Sequence, residues 1–187
     1  MPKTFYKFGI GTLTLLAVWV TGVAWKGYTR EMVSMPLSWG YTGDSVSLQR
    51  ATETLETIYQ LYGAGQTPLL RENYPTDSSY RADYLVEGES GQANAYAYLW
   101  PYSGTLSALN ALYGATGDEH FLSLLESRVL PGLELYYDDQ RQPAAYASYI
   151  RSAGRSDRFY DDNIWLGIDF AELYLLPRRS DYLDKAK

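Results

Sequence analysis

Two adjacent aspartates, Asp161 and Asp162, stand where a polar stretch of the sequence gives way to an apolar one. Such a pair suits the hydrolysis of a glycosidic bond. One carboxyl group must protonate the leaving oxygen, while the other, ionised, attacks the sugar or activates water. Retaining enzymes hold the two groups about 5–5.5 Å apart, which neighbouring residues of one helix can span. The alternative is that the aspartates only satisfy unpaired N–H groups in the first turn of a helix.

Aromatic residues are abundant, with 19 Tyr, five Trp and five Phe, and rings with one polar edge suit a carbohydrate groove. Near the aspartates and at the start of an earlier helix, four rings could stack on a sugar, and two polar side chains could bind hydroxyl groups or tune the aspartates. Packing or helix capping is the alternative for each of them. The rings belong to Trp100, Tyr102, Tyr160 and Trp165, and the polar side chains to Arg158 and Asn163.

Composition excludes several other kinds of chemistry. The formal net charge of −6 argues against a nucleic-acid partner. The sequence has no cysteine, and its single histidine, His120, cannot by itself build a zinc site. We therefore expect no metal and no cofactor, and a polysaccharide or oligosaccharide as the substrate.

The N-terminal residues 1–25 are typical of an export signal. Lys3 and Lys7 precede an apolar run over residues 8–25, which ends near a small-residue cleavage site. An uncleaved membrane anchor is the alternative, although the run is short of the about 20 residues that a spanning helix needs. We expect an exported protein, secreted, periplasmic or at the cell surface, whose folded part is residues 26–187.

Beyond the leader, the apolar residues follow helical spacing almost throughout. The pattern predicts a helix over residues 44–62, and a second one that has Pro101 in its first turn, runs to about Tyr113 and is closed by Gly117. It also predicts a helix over residues 119–137 that Pro131 kinks or splits in two, a helix from Asp161 that Pro177 stops, and another helix starting at Asp181. The stretches 64–95 and 138–160 are polar connectors.

Three further expectations concern single features of this pattern. The helix after Asp161 is apolar on nearly every side, which predicts an inner layer. Its Asp169 should satisfy buried neighbours rather than contact a substrate. The second acidic pair, Asp138 and Asp139, is expected to be solvated.

A weak internal repeat connects these helices. Leu112-Tyr113 and Leu173-Tyr174, and then Phe121-Leu122 and Tyr182-Leu183, recur at an offset of 61 residues. Each copy reads as an inner helix, a short turn and an outer helix. Such units predict an all-α solenoid or toroid of helical hairpins.

The motifs Tyr98-Leu99-Trp100-Pro101-Tyr102-Ser103-Gly104, Thr116-Gly117-Asp118 and, above all, the run from Arg158 to Gly167 resemble glycoside hydrolase family 76, the endo-α-1,6-mannanases. The resemblance covers residues 44–187. It implies an (α/α)6 toroid and retaining hydrolysis of α-1,6-mannosidic bonds, with Asp161 as nucleophile and Asp162 as general acid/base.

Length departs from this family pattern. Six hairpins at the observed spacing would need about twice this chain, so we expect the N-terminal half of a barrel with an open apolar flank that a partner could cover. Besides a glycosidase, two functions therefore remain open: a non-catalytic mannan-binding remnant and a surface assembly protein.

Overall fold

The computed structural model describes residues 44–77, 79–81, 94–177 and 179–187. The predicted leader or anchor at residues 1–25 lies outside this part of the chain. The helices are α1 (Ser45–Tyr62), α2 (Leu99–Thr116), α3 (Glu119–Leu124), α4 (Leu130–Leu133), α5 (Tyr160–Leu175) and α6 (Ser180–Lys185), and a π-helical segment (Leu125–Val129) joins α3 to α4. Strands β1 (Tyr137–Asp138) and β2 (Ala145–Tyr146) form an antiparallel hairpin, which a 3-10 turn (Arg151–Ala153) follows. None of the helices in these ranges is long and apolar enough to cross a membrane.

Helix α1 begins and ends where the local sequence predicts. The carboxylate of Asp44 accepts the N–H groups of Val46 and Ser47, both at 2.9 Å, and so satisfies two of the four N–H groups that a helix start leaves unpaired. Gly63 follows the last residue, and a Cβ at that position would lie 2.5 Å from the carbonyl oxygen of Tyr59. The helix packs against α2.

Helix α2 lies at the centre of the described fold, since it contacts α1, α3, α4 and α5. It starts two residues before Pro101 and ends at Gly117, whose φ of 65° is the left-handed conformation that favours glycine. Pro101 thus lies in the first turn and Gly117 closes the helix, as the sequence predicted, although the helix runs past the expected end near Tyr113. The face that it turns into the core includes Leu99, Tyr102, Leu106, Leu109 and Leu112.

The disturbance expected at Pro131 falls on the turns before it, where the helix changes type without a gap in the helical backbone. Pro131 has no backbone N–H and cannot continue a regular hydrogen-bond ladder. The turn before it widens into the π-helical segment, where the N–H of Leu130 donates to the carbonyl of Leu125. Gly132 follows, and a Cβ there would lie 1.8 Å from the Tyr102 hydroxyl oxygen. Only glycine fits this close approach between α4 and α2.

The connector after α4 corrects one expectation. Asp138 was expected to be solvated together with Asp139, but its side chain is buried and pairs with the guanidinium of Arg141. The hydrogen bond from Arg141 holds the pKa of the Asp138 carboxyl below its usual value. Only Asp139 is exposed, and it pairs with Arg151 at 3.0 Å. Arg141 lies three residues after Asp138, in the turn between β1 and β2, and its guanidinium reaches back to that carboxylate.

Helix α5 corrects another expectation, because it is not buried on every side. Leu166, Phe170 and Leu173 lie in the core, on the side where α5 contacts α2, β2 and α6. Ile164, Trp165 and Ile168 are each more than half exposed. Within the described residues, neighbours pack against only one side of this helix. The apolar residues on the other side form an open apolar face.

Candidate active site

The N-terminal ends of α2 and α5 lie next to each other because both are bound to one short segment, residues 146–148. The N–H of Leu99 donates to the carbonyl of Ser148 at 2.8 Å. The N–H of Tyr146 donates to the side-chain oxygen of Asn163 at 2.8 Å. Two residues of extended chain span at most about 7 Å. The first turns of the two helices are therefore neighbours.

A second link joins the middle of the same two helices. The Ser107 hydroxyl donates to the carboxylate of Asp169 at 2.7 Å, and the Asn110 amide donates to the Asp169 carbonyl at 2.9 Å. Burial raises the pKa of the Asp169 carboxyl, and the hydrogen bond from Ser107 opposes part of that rise. Helices joined at their starts and again at their middles run in parallel. Asp169 thus satisfies buried neighbours, as its sequence context predicted.

Asp161 and Asp162 occupy the first turn of α5. Asp161 is exposed and Asp162 is partly exposed. Since seven residues make about two helical turns, Asp162 lies on the face of Asp169, toward α2, and Asp161 lies on the face of Ile168, which is open. The pair therefore spans the boundary between the α2 side and the open apolar face.

Asp161 also accepts a backbone hydrogen bond at the start of the helix. The Asp161 carboxylate accepts the N–H of Asp162 at 3.0 Å. Phe159 occupies the N-cap position without a side-chain cap bond. Asp161 thus satisfies one N–H group in the first turn of α5, which is the alternative role expected for the pair. Because Asp161 is exposed, its carboxylate is still accessible to a ligand.

Three of the four predicted rings are exposed near the pair. Trp100 is 62% exposed at the start of α2, Tyr160 is 89% exposed beside Asp161, and Trp165 is 58% exposed. Residues three and four apart are neighbours on a helix surface, so Trp165 adjoins both aspartates. Trp100 belongs to the parallel helix at the same end. These rings can present flat faces to a sugar beside the carboxyl groups.

The fourth ring, that of Tyr102, is 1% exposed and lies in the core. Its hydroxyl donates to the carbonyl of Pro68 at 2.9 Å, and its ring centroid lies 5.4 Å from that of Tyr136. Burial raises its pKa far above the usual value. Tyr102 therefore packs the core beneath the helix start and is not part of the accessible site.

Both predicted polar side chains bind backbone groups. The Asn163 amide donates to the carbonyls of Tyr146 and Phe159, each at 2.9 Å, and its oxygen accepts the Tyr146 N–H. The Arg158 guanidinium donates to the carbonyls of Arg141 and Pro143. The two side chains fasten the hairpin and the connector to the start of α5. They position the aspartates, and the structure does not show them free to bind hydroxyl groups.

A polar cleft that was not predicted lies on the hairpin side of residues 146–148. Its volume is about 740 Å³, and its lining includes Asp138, Asp139, Arg141, Ala147, Arg151, Gly154 and Arg155. Residues from β1, the hairpin turn and the segment after the 3-10 turn meet here only after folding. Neither Asp161 nor Asp162 lines this cleft.

Together, the described residues define an all-α protein of packed helices that carries an exposed carboxylate pair flanked by aromatic rings. No family model matches the sequence, and no curated protein matches it. Among solved structures, it is similar to a family 76 glycoside hydrolase (mannosidase) from Bacteroides thetaiotaomicron VPI-5482, with a TM-score of 0.58 and 26% identity. It is also similar to a family 76 glycoside hydrolase from a bovine Bacteroides thetaiotaomicron strain, with a TM-score of 0.54 and 26% identity.

The matches cover 74% and 75% of this chain but only 35% and 28% of the two solved chains. The chain thus spans about a third of the length of these structures. The predicted resemblance to glycoside hydrolase family 76 is confirmed. The predicted fold class, an all-α toroid of which the described helices form a portion, is also confirmed.

Proposed function

We propose that this chain is part of a glycoside hydrolase that cleaves α-1,6-mannosidic bonds in mannan with retention of configuration. The observation that carries the proposal is the pair of Asp161, which is exposed, and Asp162, which is partly exposed. The exposed rings of Trp100 and Trp165 lie at the same helix ends, in a fold similar to a family 76 mannosidase. Two carboxyl groups can supply the acid and the nucleophile of glycosidic hydrolysis without a metal, and flanking rings can pack against the sugar.

In the proposed mechanism, the ionised carboxylate of Asp161 attacks the anomeric carbon of a bound mannosyl unit. Asp162 gives its proton to the departing glycosidic oxygen, and a mannosyl-Asp161 ester forms. Asp162, now ionised, takes a proton from water, whose oxygen attacks the same carbon and releases Asp161. Two inversions restore the original configuration.

The surrounding residues support the two steps differently. The N-terminal end of α5 stabilises the negative charge that Asp161 needs as a nucleophile. Trp100, Tyr160 and Trp165 stack on sugar faces. Asn163 holds the first turn against β2 and thereby sets the position of both aspartates.

The test compares Asp161→Asn, Asp162→Asn and the control Asp118→Asn on α-1,6-linked mannan, with reducing-end release as the readout. Asp118 caps α3 by accepting the N–H of His120 at 2.9 Å, and asparagine caps a helix about as well as aspartate. Both site variants should lose turnover and keep sugar binding in calorimetry, while the control keeps both. Undiminished turnover in both site variants would refute the proposal.

A non-catalytic mannan-binding module is the second candidate, favoured by the three exposed rings at one end of α2 and α5. It predicts saturable calorimetric binding of mannan fragments, loss of that binding in Trp165→Ala, and no product from any variant. Product release by the unmodified chain excludes it.

A surface assembly role is the third candidate, and the exposure of Ile164 and Ile168 favours it. Exposed apolar patches of this kind often mark interaction surfaces. It predicts a defined oligomer in sedimentation that Ile164→Ser with Ile168→Ser disrupts, and no sugar binding. A monomer at all concentrations excludes this role.

We also propose export of the chain, with residues 1–25 as a cleaved leader or a membrane tether. Expression with and without these residues, followed by cell fractionation, tests this. Equal amounts in the cytoplasm for both forms would contradict it.

A further inference from the structure

We propose that the polar cleft beside residues 146–148 is a binding site for a small oxyanion, a phosphate or a carboxylate group, which Arg155 binds with help from Arg151. This site is separate from Asp161 and Asp162, and its test does not require hydrolysis. The proposal rests on the charges that line the cleft, on which of them are already paired, and on the shape of the turn that carries the two arginines.

The lining is positive in a chain whose overall charge is negative. Arg141, Arg151 and Arg155 face Asp138 and Asp139 in the same cleft, which leaves one positive charge in excess. The chain as a whole has a formal net charge of −6. A local excess of guanidinium groups in a concave surface attracts anions.

The partners of the three arginines differ. Arg141 is held by the buried carboxylate of Asp138 and donates to the carbonyl of Ser156 at 2.8 Å. Arg151 pairs with Asp139 at 3.0 Å, and both side chains are at least half exposed. An exposed pair of this kind contributes little to stability, so an incoming oxyanion can replace Asp139. Arg155 is exposed and makes no hydrogen bond or ion pair with the described residues.

The backbone places Arg155 beside Arg151. The 3-10 turn carries Arg151, and Gly154 follows it with φ 108°, a conformation that residues with a Cβ rarely adopt. The N–H of Gly154 donates to the carbonyl of Arg151 at 3.1 Å. Arg151 and Arg155 are thus four residues apart on one closed turn, and both line the cleft, where two guanidinium groups can bind one oxyanion.

The lining favours an anion over a neutral sugar. It contains no aromatic ring, and Leu135 and Ala147 are its apolar members, so a sugar ring finds no flat partner on which to stack. An unpaired guanidinium forms its strongest hydrogen bonds with a carboxylate or a phosphate, often two at once.

Calorimetric titration of the full chain with inorganic phosphate, glucuronate and mannose tests the site. We expect saturable binding of phosphate, glucuronate or both, and any binding of mannose should be unchanged by Arg155→Gln. Because a hydrogen bond between charged groups contributes about 1.5–3 kcal/mol, Arg155→Gln should weaken binding about tenfold or more. Which anion binds more tightly distinguishes a phosphorylated from a carboxylated ligand.

The matched control is Arg50→Gln. Arg50 is exposed on α1 and lies outside the cleft lining, so the variant makes the same change in net charge. It should alter anion affinity by less than about twofold, as expected for a screened surface charge. Circular dichroism confirms that the variants stay folded. The proposal is overturned if the unmodified chain binds neither anion saturably, or if Arg50→Gln and Arg155→Gln weaken binding equally.

Discussion

Replacing Asn163 by alanine removes the side chain that connects the carboxylate pair to the rest of the fold. Asn163 lies immediately after Asp162 and makes three hydrogen bonds, two with the backbone of Tyr146 and one with the carbonyl of Phe159. Tyr146 is buried, so its backbone groups would find water only with difficulty after the substitution. Asn163→Ala should therefore reduce stability and displace the first turn of α5.

The size of the effect follows from these bonds. Each intramolecular hydrogen bond contributes about 1 kcal/mol net, and a buried polar group left unpaired costs about 1–3 kcal/mol. Three lost bonds therefore predict a decrease of about 3 kcal/mol in the free energy of unfolding. A domain is stable by only about 5–15 kcal/mol, so the midpoint of urea unfolding should move clearly.

The assay is urea unfolding followed by circular dichroism, with Asn73→Ala as the matched control. The Asn73 amide makes one exposed hydrogen bond, to the carbonyl of Pro75 at 3.0 Å, so the same chemical change there should cost less than about 1 kcal/mol. Mannan hydrolysis is measured in parallel, well below the unfolding midpoint. Asn163→Ala should lose activity there because the aspartates are no longer held in place.

Equal destabilisation by Asn163→Ala and Asn73→Ala would refute this reasoning. It would mean that the hydrogen bonds between Asn163 and β2 contribute nothing net. Retained activity in a destabilised Asn163→Ala would refute the positioning role alone.

Three further predictions concern packing, pH and binding. Gly132→Ala should lose about 1–3 kcal/mol of stability because the new methyl group meets the buried Tyr102. Gly104→Ala should gain up to about 1 kcal/mol, because no atom lies within 4 Å of the added Cβ. Urea unfolding compares the two variants. Because the folded-state pKa of Asp169 is raised, the wild type should lose stability relative to Asp169→Asn as pH rises above about 3.8 and then level off. Trp165→Ala should weaken mannan binding by about 1–3 kcal/mol, measured by calorimetry, through lost burial of the ring.

Each of these predictions has its own contradicting result. Equal stability of the two alanine variants would mean that α4 can move away from α2. A stability difference between wild type and Asp169→Asn that stays constant from pH 3.5 to 7 would exclude a raised pKa. Unchanged binding in Trp165→Ala would place the sugar elsewhere.

The sequence predicted those features that depend on neighbouring residues. The end of the first helix at Gly63 and the disturbance of the helix near Pro131 follow from bonds within one helix, so they can be read from a few residues. The acid on the apolar helix, Asp169, was correctly expected to have a buried partner because an unpaired buried carboxyl is costly. The identity of that partner, Ser107, required the fold.

The features that were missed depend on contacts distant in sequence. The sequence alone does not distinguish the buried ring of Tyr102 from the exposed ring of Trp100, since both lie in the first turn of α2. Asn163 is polar enough to bind sugar hydroxyl groups, but its side chain forms hydrogen bonds with the backbone of β2 instead. This strand has only two residues, so no periodicity in the sequence predicts it. The exposed side of α5 was not predicted because an apolar pattern does not say whether a neighbour is present.

The most direct test of the proposed function is the capture of the ester on Asp161. A fluorinated mannosyl substrate with a good leaving group slows the second step of a retaining reaction, so the ester should accumulate. Mass spectrometry of the digested protein should find one mannosyl unit on the peptide that contains Asp161, and none in Asp161→Asn. Hydrolysis of mannan without any such adduct, or an adduct on another residue, would contradict the assignment of Asp161 as the nucleophile.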